Sequence, residues 1–310
     1  MEHPSITKLY KYRALDSRSL NMLSRSAIWL APSHAFNDPF DCKARRKIKF
    51  TSDKELIAKL APIEAHHRGI SPNDAIAYLK QLVTDDKLRD EYLDKKSRSL
   101  QKVVLQSFGI YTLSETPKEI LMWSHYADSH KGFCIEYRRT SDNILADAQK
   151  IMYPKDDEFP YIDYFAPDVN KRLEEMSKVV LTKYQRWEYE KEWRILQAGY
   201  IQEGLIDDSI ESSDEERLNM TLEIKMEIAT KSRHRKYHKD WRIWPRRVGG
   251  PYSGHQHTYP DDMLHGIIFG LEMSDGDRKE IRHALSGKNV KYYEARRVTN
   301  RFELEIAEIG

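Results

Sequence analysis

Residues 187–196, Trp-Glu-Tyr-Glu-Lys-Glu-Trp-Arg-Ile-Leu, constrain the fold of this chain more than any other ten. At the strand period of two, Trp187, Tyr189, Trp193 and Ile195 share one face, with Lys191 out of character. Glu188, Glu190, Glu192 and Arg194 share the other. Wound as a helix, the same residues scatter around the axis and leave no apolar stripe. The pattern predicts a strand over 187–196 with an apolar back and a row of three carboxylates. Same-face neighbours on a strand stand roughly 7 Å apart, so such a row is costly unless cations, a metal or a ligand compensate it. Two readings follow: a solvated face paired with Arg194 and nearby lysines, or an active-site strand.

Elsewhere strand and helix patterns mix without regular alternation. Strand patterns lie at 6–13 and 27–32, around a short helix at 17–25. Asn37-Asp38-Pro39 predicts a turn, because the residue before proline is pushed out of the helical region and Asn and Asp bond their own backbone. Helical spacing covers 53–106, with Ser71-Pro72 as a cap and first-turn proline. Residues 103–115 predict a strand pair or one bent strand, followed by a helix opened by Pro117 and a strand at 131–139. A helical piece lies at 169–185. The carboxyl end predicts a strand at 265–272, a capped helix ending near Gly287, and two closing strands. No internal repeat is present. Together these predict an α+β fold in one domain, 1–310, with a helical insertion at about 53–106, a variable one at about 141–183 and a basic and acidic one at about 203–260.

The 18 tyrosines and 6 tryptophans argue against disorder. With a net charge of only +2, any electrostatic argument must be local. The clearest local feature runs from Lys231 to Arg247, where Arg242, Arg246 and Arg247 are interleaved with Trp241 and Trp244. Cations among aromatics suit a phosphate backbone with stacked bases; a charged surface loop is the bland alternative, and two tryptophans weigh against it. Cys42 and Cys134 stand far apart and match no metal or disulfide framework. His125 and His130, five apart, lack the partners of a zinc site. No Walker loop, dinucleotide glycine fingerprint or G-x-S-x-G elbow occurs. The amino terminus has no secretory pattern and no apolar run is long enough for a membrane span, so a cytoplasmic protein with reduced thiols is expected.

Five stretches, LYKYRAL (9–15), AIWLAPSHAFNDPFD (27–41), MWSHYADSHKGFCIEY (122–137), WEYEKEWRIL (187–196) and HGIIFGLEMS (265–274), resemble in order an uncharacterised bacterial family that includes the abortive-infection protein AbiGi. More distantly, the order of elements is similar to the ADP-ribosyltransferase fold, a split, mostly antiparallel sheet around a cleft that holds NAD. That resemblance implies NAD as the substrate, gripped by Lys11, Tyr12 and Arg13 of the first strand. Lys11 stands where one transferase class carries His. It further implies that Gly109-Ile110-Tyr111-Thr112, with Ser124 and Tyr126, walls the nicotinamide, and that Glu190-Lys191-Glu192 is the catalytic segment. Glu192 would stabilise the positive charge that builds on the sugar, while Glu190 positions the acceptor or takes its proton. The family implies a toxin or anti-phage defence effector. Its acceptor or docking partner would be nucleic acid or a nucleic-acid-bound protein, met through Trp241, Arg242, Trp244, Arg246 and Arg247.

Two other readings compete. A metal-dependent nuclease would hold Mg²⁺ with Asp38, Asp41, Glu190 and Glu192, assisted by Lys191 or His125. A non-enzymatic nucleic-acid-binding or partner-sensing module would use the carboxylate face only as structure.

Overall fold

Strand β1 (Lys8–Arg13) alternates its side chains between two cores, and that alternation sets the layering of the molecule. Leu9 enters one core beside Leu113, Ile135, Trp193 and Ile267, whereas Tyr12 enters another with Trp123, Cys134 and Ile268. The structure is a computed structural model that describes residues 3, 5–43, 50–106, 108–156, 158–160, 175, 177–198 and 255–310. The other strands are β2 (Ala27–Pro32), β3 (Phe108–Ser114), β4 (Phe133–Arg138), β5 (Gln149–Lys150), β6 (Glu192–Ala198), β7 (His255–Thr258), β8 (Leu264–Phe269), β9 (Lys291–Arg297) and β10 (Leu304–Ile309). They form an open sheet in the order β10-β9-β8-β4-β1-β3-β2-β7, with β6 on β3 and β5 on β6. Among these pairings only β8 with β9 is parallel. The class is α+β with a mostly antiparallel sheet.

The helices are α1 (Ser17–Ser24), α2 (Asp53–Arg68), α3 (Pro72–Leu82), α4 (Asp86–Gln106), α5 (Ile120–Tyr126) and α6 (Asp275–Ala284). Their ends carry local sequence signals. Asp16 and Ser19 cap α1 reciprocally, Ser71 caps α3 ahead of Pro72, and Ser274 caps α6. Helices α2 and α3 close a small core of their own around Leu56, Leu60, Ala75 and Leu79. No helix among the described residues is long and apolar enough to cross a membrane.

Three expectations change. Residues 103–106 finish α4 rather than open a strand, and β3 begins at Phe108. The helix after Pro117 starts only at Ile120, where the Glu119 carboxylate accepts from the Leu121 amide at 3.2 Å. Most consequentially, the predicted strand 187–196 is a strand only from Glu192; residues 185–190 form a 3-10 helix ended by Lys191 in the left-handed region, φ 45°. Of the helical piece expected at 169–185, the described residues 175 and 177–180 are helical, whereas 181–184 are not: the helix ends in a turn at Leu181 and Thr182 bridges to Met152. The whole basic stretch, with Trp241, Arg242, Trp244, Arg246 and Arg247, lies outside the described residues.

Strand β3 positions the site. Along one edge it pairs with β6 from Phe108↔Ala198 to Ser114↔Glu192. On the other it meets β1 at Ser114 and β2 at Gly109 and Ile110, so the sheet forks between these contacts.

Candidate active site

The left-handed turn at Lys191 is what brings Glu190 and Glu192 together. On a regular strand their side chains would stand side by side roughly 7 Å apart. A non-glycine residue in this region costs roughly 1–2 kcal/mol. Two bonds hold the turn against that cost: the Ser114 hydroxyl donates to the Glu190 carbonyl at 2.7 Å, and the Glu115 amide to the Lys191 carbonyl at 3.1 Å. Both carboxylates then meet the ammonium of Lys183, which donates to Glu190 Oε2 and, at 3.1 Å, to Glu192 Oε2.

Arg194 extends the network. Its Nε donates to Glu192 Oε1 at 2.7 Å and its Nη2 to Glu192 Oε2 at 3.2 Å. Its outer nitrogens also form a fork on Asp41, Nη1 to Oδ1 at 3.0 Å and Nη2 to Oδ2 at 2.6 Å. Asp41 is delivered by the Asn-Asp-Pro turn, where Asp38 Oδ1 accepts from the Phe40 amide at 2.8 Å. Tyr153 Oη accepts from the Glu192 amide at 2.9 Å. Glu190, Glu192, Arg194, Lys183 and Asp41 are all at most 7 % exposed, so five charged groups are packed together away from bulk solvent. Such charges persist only because each is paired.

The two glutamates are not equivalent. Burial, and then the neighbouring Glu192 charge, raise the Glu190 carboxyl above the usual carboxylate range despite Lys183. Burial also opposes the Glu192 anion, but Arg194 and Lys183 outweigh it and hold that carboxyl well below the usual range. Lys183 stays firmly protonated, since Glu192, Glu190 and Asp41 outweigh its burial. One carboxyl suited to holding a proton thus lies beside one fixed as an anion, and the pair titrates as a unit.

Of the residues singled out from sequence, Tyr126 joins this cluster, its hydroxyl donating to Glu190 Oε1 at 2.7 Å while Asn37 Nδ2 approaches it at 3.4 Å. Half-buried Tyr126, exposed His125 and half-buried Tyr189 and Trp187 follow one another at ring separations of 6.3, 6.5 and 6.0 Å. Lys11 sits in the fork of the sheet, donating to Thr112 O at 2.7 Å and Thr112 Oγ1 at 2.6 Å; Thr112 is the register partner of Arg194. The others are turned elsewhere. Tyr12 is buried on the opposite face of β1, donating to Thr116 O at 2.8 Å with its ring edge-on to Trp123. Tyr111 lies in the main core, its hydroxyl 3.1 Å from that of Tyr137 and beside the guanidinium of Arg13. Ser124 donates to Ile120 O at 3.1 Å and meets His130 Nε2 at 3.2 Å. The period of two sends Lys11 and Tyr12 to opposite faces, so the three residues of the first strand do not gather on one surface.

Sequence reasoning missed Lys183 and Tyr153. A row of carboxylates demands a cation, but nothing local says which of the chain's lysines supplies it. Among the described residues no group of three or more His, Cys, Asp and Glu side chains is arranged to hold a metal ion.

Fold and site together define an α+β protein whose open, mostly antiparallel sheet carries a buried, ion-paired carboxylate cluster at the start of β6. Residues 122–195 match a family model described as a protein of unknown function, DUF2971. That segment holds Tyr126, Lys183, Glu190, Glu192 and Arg194, and lacks Asp41. No curated protein and no solved structure matches the chain.

Proposed function

We propose that this chain is an enzyme of the ADP-ribosyltransferase kind, which cleaves NAD and passes the ADP-ribosyl group to an acceptor. The observation that carries the reading is the pairing around Lys183 of Glu190, whose carboxyl burial pushes up, with Glu192, which Arg194 and Lys183 hold as an anion. In the step, the bond between the ribose anomeric carbon and the pyridinium nitrogen breaks, and its electron pair leaves on neutral nicotinamide. The cationic sugar is stabilised by the Glu192 carboxylate and captured by an acceptor whose proton passes to Glu190. The chain of rings from Tyr126 to Trp187 suits a flat heterocycle by stacking. The nuclease reading would need Asp41, Glu190 and Glu192 arranged around Mg²⁺, and among the described residues no group of three or more His, Cys, Asp and Glu side chains is so arranged; chelator sensitivity of any activity separates the two. For the acceptor, the basic stretch 231–247 supports nucleic acid or a nucleic-acid-bound protein on sequence grounds alone.

The test is nicotinamide release from NAD by purified wild type, Glu192→Gln and Glu190→Gln. Glu192→Gln keeps the shape and removes the charge, so it should abolish release. Glu190→Gln should reduce transfer more than hydrolysis. A folded wild type that neither binds NAD by calorimetry nor releases nicotinamide overturns the reading, and full activity in Glu192→Gln overturns the assignment of that residue.

A further inference from the structure

Lys183 lies in no motif that the sequence marks for chemistry, yet its ammonium serves three carboxylates. It donates to Glu190 Oε2, to Glu192 Oε2 at 3.1 Å, and stands 3.9 Å from Asp41 Oδ2. The ring of Trp187 lies 4.9 Å from Nζ to its centroid. The other groups facing the cluster are Asp41 and Cys42 after β2, Tyr126 on α5, Tyr153 after β5, Tyr189 on the 3-10 turn, Arg194 on β6 and, electrostatically, Lys11 on β1.

In direct contact, Asp41, Glu190 and Glu192 face Lys183 and Arg194, three acids to two bases; Lys11 acts on the two glutamates only through space, and burial and then Arg13 push its own pKa well down. Arg194 is committed to Asp41 and Glu192. Among the described residues, Lys183 is the cation paired with Glu190. Glu190 is therefore the least compensated of the three acids and the one that most readily takes up a proton. Without Lys183, three acids in contact share one base, which favours proton uptake by both glutamates.

We propose that Lys183 is a positioning residue whose ammonium keeps Glu192 a permanent anion and leaves Glu190 as the one carboxyl that exchanges a proton. The inference rests on the reading of these two glutamates as the reacting groups, and its test separates the two ideas. Protein labelled with ¹³C at the glutamate side-chain carboxyls is titrated by NMR, with Glu190→Gln and Glu192→Gln assigning the two resonances. An opposite charge at this range lowers a carboxyl by about 1–3 pH units. In Lys183→Met the midpoints of both glutamates should rise by about that amount, and Lys183→Arg should restore them toward wild type. The pH profile of nicotinamide release should move in the same direction. Should Lys183→Met fail to fold by thermal melting, Lys183→Gln keeps a donor without the charge and is expected to show the same rise. Unmoved midpoints in a folded Met or Gln variant overturn the proposal. Midpoints that rise in a protein that releases no nicotinamide uphold Lys183 as the positioning cation and overturn only the NAD reading.

Discussion

Arg194 and Asp41 form a two-pronged ion pair, Nη1 to Oδ1 at 3.0 Å and Nη2 to Oδ2 at 2.6 Å, between residues 153 apart in the chain. The pair ties β6 to the loop after β2 and leaves Arg194 with no solvent exposure. Removing one partner of a buried pair strands the other charge, at a cost of roughly 3–5 kcal/mol. Asp41→Ala should accordingly lower stability by about that amount in denaturant unfolding. Asp38→Ala, which removes only the turn bond to the Phe40 amide, should cost about 1 kcal/mol. Equal losses in the two variants would mean that the loop, rather than the ion pair, carries the stabilisation.

Tyr126 separates a chemical from a packing role. Its hydroxyl bond holds the Glu190 carboxyl down, so Tyr126→Phe should raise the Glu190 midpoint further while changing stability by only about 1 kcal/mol. If the ring stacks on nicotinamide, Tyr126→Ala should weaken NAD binding by about 1 kcal/mol or more in calorimetry. A lower melting temperature with unchanged affinity per folded molecule would assign the ring to the core.

Glu64 offers a pH test far from the cluster. It is buried between α2 and α4, bonded to Lys96 at 2.6 Å, Arg68 at 2.7 Å and Tyr92 at 2.6 Å. Burial pushes its carboxyl up, but the bonds from Lys96, Tyr92 and Arg68 outweigh that and hold it at about 2. An unfolded glutamate titrates at about 4.3. A carboxyl depressed on folding stabilises fully above the unfolded value, and that contribution is lost as pH falls through the folded one. Wild type should therefore exceed Glu64→Gln in urea unfolding at pH 7, and the gap should shrink as pH falls from 4 toward 2. A gap that stays constant over that range would show that Glu64 acts by shape and not by charge.

The basic stretch makes its own prediction. Each Lys or Arg that meets a phosphate contributes roughly one unit to the slope of log affinity against log salt. Replacing Arg242, Arg246 and Arg247 with alanine should flatten the slope for DNA or RNA by up to about three units. Losing Trp241 or Trp244 should instead cost roughly 1–3 kcal/mol per stack with little change in slope. A wild type with no salt-dependent retention on nucleic acid would make this stretch a solvated loop.

The sequence by itself determined what depends on neighbours along the chain. Asp16, Ser71 and Ser274 mark helix starts because their side chains reach only the next turn, and Asn37-Asp38-Pro39 marks a turn for the same reason. Strand β2 falls on its pattern at Ala27–Pro32, since alternation and a closing proline are local properties. The tertiary structure alone decided the geometry of the cluster. At 187–190 the strand period is present in the residue types, yet burying Glu190 against Lys183 and the Ser114 hydroxyl outweighs it and turns the chain through Lys191. The choice of Lys183 as the cation was likewise invisible, and sequence groups Asp41 with Glu190 and Glu192 only as a metal ligand, because electrostatic pairing such as Arg194 with Asp41 depends on distance in space and carries no mark in sequence. Tyr12 and Tyr111 were drawn away by another non-local demand, the filling of two cores on opposite faces of one sheet. Local signals set where elements begin and end, and long-range burial and charge pairing set which side chains meet.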